Sequence, residues 1–225
     1  MIPSPPSRTE ILLKGKSVMI DHLIFDFDGT ISDSYPLFLE FTKIIGKENG
    51  LKLTCSDEEL DRFNKITLYD GFVHLGWNQK ITYRTYLDRF YQLQNEYAMQ
   101  FRAFPEAVEL LEYAVKCGKT NYIYTHSGSI VGEMLKNMGI DHLFTFLLDS
   151  SYNFPLKPAP DALLYFLERF SLDPKTCMMI GDRPIDAQAG MNAGMAGCLW
   201  DAGGLFPDAK VDHIVAHLED VKDLL

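Results

Sequence analysis

Short apolar runs closing on polar residues punctuate this chain at intervals. Residues 22–25 (His-Leu-Ile-Phe) run into Asp26, 121–124 into Thr125, 145–148 towards Asp149, and 177–180 into Gly181-Asp182, while 195–200 supply a fifth run. Apolar runs of this length predict strands. Between them the apolar spacing lengthens to the helical period, predicting helices over Pro105–Lys116, 130–138, Asp161–Phe170 and 184–193. Strands alternating with helices imply an α/β fold, a central parallel sheet with helices on both faces. In such sheets ligands bind at the carboxyl ends of the strands. Each polar residue that closes a run lies at such an end.

The stretch from 35 to about 102 breaks the alternation, with helical spacing throughout and no strand-like run. Ser56-Asp57-Glu58-Glu59 reads as a capping box opening a helix. Tyr83, Tyr86, Leu87, Phe90, Leu93, Tyr97 and Phe101 form a stripe at helical spacing, as a buried face would. This predicts a helical cap at 35–102 over a core made of 19–34 and 103–225. Residues 1–18, with three early prolines, read as an N-terminal appendage, and Met19 as an alternative start.

Composition narrows the function classes. Apolar residues make up 47% of the 225, including 15 Phe and 11 Tyr, enough for a sizeable core. Acids outnumber bases by 31 to 21, and a formal charge of −10 disfavours nucleic acids and anionic membranes as partners. No apolar run is long enough to predict a membrane span, and residues 11–13 are too short for a signal sequence. Of the four cysteines, three sit among apolar neighbours, as in Cys177-Met178-Met179, and read as reduced, buried thiols of a cytoplasmic protein.

The chemistry-bearing residues fall at the strand exits. Phe25-Asp26-Phe27-Asp28-Gly29-Thr30 places two carboxylates at i and i+2, on one side of an extended chain, before a glycine that permits a sharp turn. Two acids aimed into one crevice require a cation or a proton. Gly181-Asp182-Arg183-Pro184-Ile185-Asp186 adds Asp182, which with Asp26 and Asp28 makes an oxygen site of the kind magnesium takes. Asp186, in the first turn of a helix, suits the helix dipole as well. Thr125, in Tyr124-Thr125-His126-Ser127-Gly128-Ser129, offers a hydroxyl and backbone N–H groups to phosphate oxygens, unless Ser127 or Ser129 simply caps the next helix. Lys157, next to Pro158, has a restricted backbone and sits outside any helix.

In order and spacing these pieces resemble the four motifs of the haloacid dehalogenase superfamily, phosphatase branch, over residues 20–225. Asp26-x-Asp28-Gly29-Thr30 is similar to the first motif, Thr125 to the second, Lys157 to the third and Gly181-Asp182-x-x-x-Asp186 to the fourth. The helical insert is similar to caps placed directly after the first motif, as in phosphoglycolate phosphatases and beta-phosphoglucomutases. The resemblance implies a Rossmann-like core and a phosphatase working through an aspartyl-phosphate. Asp26 would be the nucleophile and Asp28 the general acid and base. Magnesium would be held by Asp26, Asp182 and the main-chain carbonyl of Asp28, with Asp186 supporting that shell. Thr125 and Lys157 would orient the phosphoryl group of a small phosphorylated metabolite. His126 and Ser127 stand where many relatives carry Asn or Gly, so His126 either touches substrate or fills the crevice wall. A monomer or homodimer would be expected.

Three other readings compete. A phosphosugar mutase would share these motifs, but the loop expected at 69–77, with Tyr69, Asp70 and Trp77, supplies no evident basic groups for a second phosphate. A receiver-like signalling module needs about half this length and no insert. A non-catalytic binding protein on this fold would have no use for so complete a set of polar strand exits. His213 and His217, spaced i and i+4 without a third ligand, read as a solvated tail.

Overall fold

A computed structural model describes residues 19–225, so the appendage expected at 1–18 lies outside the described residues. Strands β1 (His22–Phe25), β2 (Thr120–Tyr124), β3 (Phe146–Leu148), β4 (Cys177–Gly181), β5 (Ala196–Trp200) and β6 (His213–Val215) form one sheet in the order β3-β2-β1-β4-β5-β6. Every pairing is parallel. From β1 the chain builds β2 and β3 on one side and β4 to β6 on the other. The carboxyl end of β1 is therefore the topological switch point, where such sheets open a crevice.

The pleat sorts the side chains into two buried layers. Leu23, Phe25, Ile123, Met178 and Ile180 face α5 (Pro105–Lys116) and α6 (Val131–Met138), whose Leu110, Leu111, Met134 and Leu135 are buried in the same cluster. Ile24, Tyr122, Tyr124, Cys177 and Met179 face the other way, onto Ala162, Leu163 and Phe166 of α7 (Asp161–Phe170) and Ala189 of α8 (Pro184–Asn192). Alternate residues of one strand thus feed opposite layers, as a three-layer α/β fold requires.

Between β1 and α5 lie α1 (Tyr35–Glu48), α2 (Asp57–Ile66), α3 (Leu68–His74) and α4 (Tyr83–Glu96). Ser56 caps α2, accepting from the Glu59 N–H. The aromatic stripe is core: Tyr86, Phe90, Leu93 and Phe101 are buried, with Tyr83, Leu87 and Tyr97 packed against them. Phe38 and Phe41 of α1 meet Phe90 edge-on, at centroid separations of 4.9 and 5.4 Å.

Several expectations are corrected. The segment expected as a loop at 69–77 is largely the helix α3, capped by the Thr67 hydroxyl on the Asp70 N–H. The tail expected at His213 and His217 is β6 followed by a 3-10 segment (Leu218–Leu224) that buries Leu218 and Val221. A three-residue edge strand with only Val215 buried carries too little period to be read. Of the cysteines only Cys177 and Cys198 are buried, and Cys117 is exposed at the end of α5. Helix α6 begins at Val131 without a side-chain cap, so neither Ser127 nor Ser129 has the capping role. Among the described residues no helix is long and apolar enough to cross a membrane.

Candidate active site

Asp26 continues β1 past its last residue, its N–H donating to the Ile180 carbonyl of β4 at 2.8 Å. The chain then turns at once, and the Phe27 carbonyl accepts from the Ile31 and Ser32 N–H groups. Gly29 makes this turn at φ 79°, and a Cβ there would stand 2.5 Å from both Asp182 Oδ2 and Tyr35 Cε2. Only glycine lets the turn approach the β4 exit so closely.

The carboxylates of Asp26, Asp182 and Asp186 lie within 4.8 Å of one another. The third member of the group is Asp186, whereas the spacing of the first motif had suggested the Asp28 carboxylate. Asp28 lies in a β-bridge to Ser32, and its carboxylate is held by hydroxyls. Asp28 instead accepts from Ser34 Oγ at 2.7 Å and from Ser127 Oγ at 2.5 Å. Asp182 accepts from the Tyr35 hydroxyl at 2.6 Å and from Thr30 Oγ1 at 3.3 Å. Asp186 accepts from the Arg183 N–H at 3.1 Å, so its helix-end role and its place in the cluster coexist.

Lys157 neutralises part of this charge. Its side chain is fully buried, and Nζ donates to Asp26 Oδ1 at 2.6 Å, Asp186 Oδ1 at 2.9 Å and the Tyr124 carbonyl at 2.9 Å. Burial opposes its charge, but Asp186 and Asp26 outweigh burial and hold the ammonium above its ordinary value. Asp186 is buried too, yet Lys157 and Arg183 keep its carboxyl below the usual range. Burial prevails elsewhere: Asp26 is pushed up to about 6 and Asp182 to about 7. Asp28 is raised by burial as well, against the pull of the Ser127 and Ser34 hydroxyls.

Four carboxylates thus share this region with two cations, Lys157 and Arg183. Asp26 Oδ2 is buried without a hydrogen-bond partner. Four carboxylates against two cations leave an excess of hard oxygen donors, which fits a divalent cation such as magnesium. The other group of this kind among the described residues, Cys55, Glu59 and His74, lies on the helical insert, where His74 Nε2 pairs with Glu59 at 3.1 Å.

Thr125 is buried at the exit of β2, its hydroxyl accepting from the Ser127 N–H at 3.0 Å. His126, the next residue, is half-buried. Its Nε2 accepts from the Lys157 main-chain N–H at 3.1 Å. Burial and the neighbouring Lys157 charge push the imidazole down to about 3, so it is a neutral acceptor with its proton on Nδ1. Tyr35, Ser34, Ser127 and Gln94 carried no sequence signal for a place in this network. The partners of Tyr35, Ser127 and Gln94 lie 147, 99 and 33 residues away, Ser34 reaches back six residues to Asp28, and Ser127 had only its capping alternative.

Comparison with known proteins agrees with this geometry. The model of the haloacid dehalogenase-like hydrolases matches residues 23–199. A phosphoglycolate phosphatase of Haemophilus influenzae is 32% identical over 96 residues, 42% of this chain and 43% of that protein, so the match spans under half of that relative's length. An N-acetylmuramic acid 6-phosphate phosphatase of Pseudomonas aeruginosa is 23% identical over 221 residues, 93% of this chain and 96% of its own. Among solved structures, a predicted phosphoglycolate phosphatase from Haemophilus somnus superposes with a TM-score of 0.77 at 22% identity, over 91% of this chain and 97% of that one. With the family model spanning Asp26, Asp28, Thr125, Lys157, Asp182 and Asp186, the chain belongs to the haloacid dehalogenase-like hydrolases.

Proposed function

We propose that this hydrolase is a magnesium-dependent phosphatase acting on a small phosphate monoester, with Asp26 as nucleophile. The observation that carries the reading is the asymmetry of the Asp26 carboxylate. Lys157 holds Oδ1 at 2.6 Å, while Oδ2 is buried and free of donors. An oxygen without donors keeps its lone pairs for attack on phosphorus. The displacement breaks the ester bond and leaves an aspartyl-phosphate, which water then cleaves.

Asp26, Asp182 and the main-chain carbonyl of Asp28 would hold magnesium, with Asp186 supporting them. The bound ion would offset the charge of the incoming dianion. Lys157 contributes a fixed positive charge beside the nucleophile, and the Thr125 hydroxyl with the N–H groups after it orients phosphoryl oxygens. Asp28 gives a proton to the departing alkoxide and regains one from the attacking water, so protons balance over the cycle. His126, already committed to the Lys157 main chain, acts through that lysine rather than on the substrate.

In this reading residues 35–102 are a cap over the crevice, and 19–34 with 103–225 form the catalytic core. The substrate is a small phosphorylated metabolite, in keeping with the names of the relatives. The acidic net charge disfavours nucleic acid as a partner, and in this reading the enzyme is a cytoplasmic monomer or homodimer.

Phosphate release from p-nitrophenyl phosphate, with and without magnesium, tests the proposal. Asp26→Asn should fall to background with its melting profile unchanged. Activity above a few per cent of wild type in the folded variant would overturn the assignment.

A further inference from the structure

Gln94, on α4 of the helical insert, is buried. Its Nε2 donates to Ser127 Oγ at 2.9 Å, and Ser127 Oγ donates in turn to Asp28 Oδ2 at 2.5 Å. Ser127 is itself buried, at the turn after β2. A hydroxyl has one proton. With the Gln94 amide donating to its oxygen, Ser127 directs its single proton to Asp28. Ser34 holds the other oxygen, Oδ1, at 2.7 Å. The two carboxylate oxygens of Asp28 are thereby fixed by two hydroxyls, one of them set by the insert.

We propose that Gln94 is a positioning residue for Asp28: it directs the Ser127 hydroxyl onto Oδ2 and so completes the proton-transfer geometry only when the insert is docked on the sheet. The inference rests on the phosphatase reading above and extends it to a residue outside the four motifs. Loss of the amide leaves Ser127 free to turn its proton away, and the Asp28 carboxyl is then held from one side only. Proton transfer depends steeply on such placement.

A purely structural Gln94 would lower the melting temperature and affect every substrate alike. A positioning Gln94 acts only where the leaving group needs a proton. Single-turnover release from p-nitrophenyl phosphate, a good leaving group, and from an alkyl phosphate, a poor one, separates the two. Gln94→Leu, Ser127→Ala and the double variant are compared with wild type and Asp28→Asn. Each single variant should slow the alkyl ester about tenfold, change KM little and leave p-nitrophenyl release nearly intact. The double variant should be no slower than the worse single, because both act on one chain of hydrogen bonds. Equal losses on both esters, or losses that multiply in the double variant, overturn the relay while the phosphatase reading stands. A wild-type enzyme that releases phosphate from neither ester overturns both. Ser127→Ala removes a single oxygen and carries the test alone if Gln94→Leu does not fold.

Discussion

The hydroxyl of Tyr35, first residue of the first helix of the insert, donates to Asp182 Oδ2 across 2.6 Å. The contact ties the start of the insert to the exit of β4. Burial, with the Asp182 charge adding to it, keeps the phenol well above its ordinary value, so it remains a donor. The Lys65 ammonium stands 5.3 Å over its ring. If Asp182 holds magnesium, Tyr35 orients a ligand. Tyr35→Phe should then raise the magnesium concentration for half-maximal activity by roughly tenfold, with a much smaller change in saturated turnover. An unchanged magnesium titration would remove Tyr35 from the site's support.

Asp28→Asn separates proton transfer from attack. The side-chain amide keeps the main-chain carbonyl in place but cannot shuttle a proton. Turnover of poor leaving groups should fall by roughly a hundredfold or more. The loss should shrink for p-nitrophenyl phosphate in a single turnover, where Asp26→Asn shows no such relief. Equal losses across leaving groups would contradict a proton-transfer role.

Magnesium should be required, and a chelator should abolish activity reversibly. Calcium should inhibit, because its larger and looser coordination shell displaces the reacting oxygens. Full activity in excess chelator would exclude a metal role for the cluster of Asp26, Asp182 and Asp186.

His126 gives a stability prediction that needs no substrate. Its pKa is about 3 in the folded chain against a model value of 6.5, so between these values the unfolded chain binds a proton that the folded chain does not. Stability from this group is therefore intact above pH 6.5 and falls as the solution is acidified. Between pH 6.5 and 5 the loss amounts to about 1–2 kcal/mol. His126→Gln keeps an acceptor for the Lys157 N–H without a titrating ring. Urea denaturation at pH 7 and pH 5 should show a smaller drop for the variant than for wild type. Parallel drops would mean that His126 is not held neutral.

By itself the sequence determined the strand and helix periods, and with them the parallel sheet and the helical insert. Those patterns are local: burial on both faces makes residues 23–25 and 177–180 wholly apolar, and packing on one face gives α4 its aromatic stripe. The same locality exposed Asp182 beside Gly181, Lys157 beside Pro158, and Asp26 three residues before Gly29. Tertiary structure alone decided how these groups meet. Lys157 reaches Asp26 across 131 residues of chain, Tyr35 reaches Asp182 across 147, and Ser127 reaches Asp28 across 99. A hydrogen bond between such distant residues leaves no periodic trace, so Ser127, which holds Asp28, reads from the sequence only as a helix cap. The carboxylate cluster is likewise tertiary, taking Asp26 from the exit of β1, Asp182 from the exit of β4 and Asp186 from the first turn of α8.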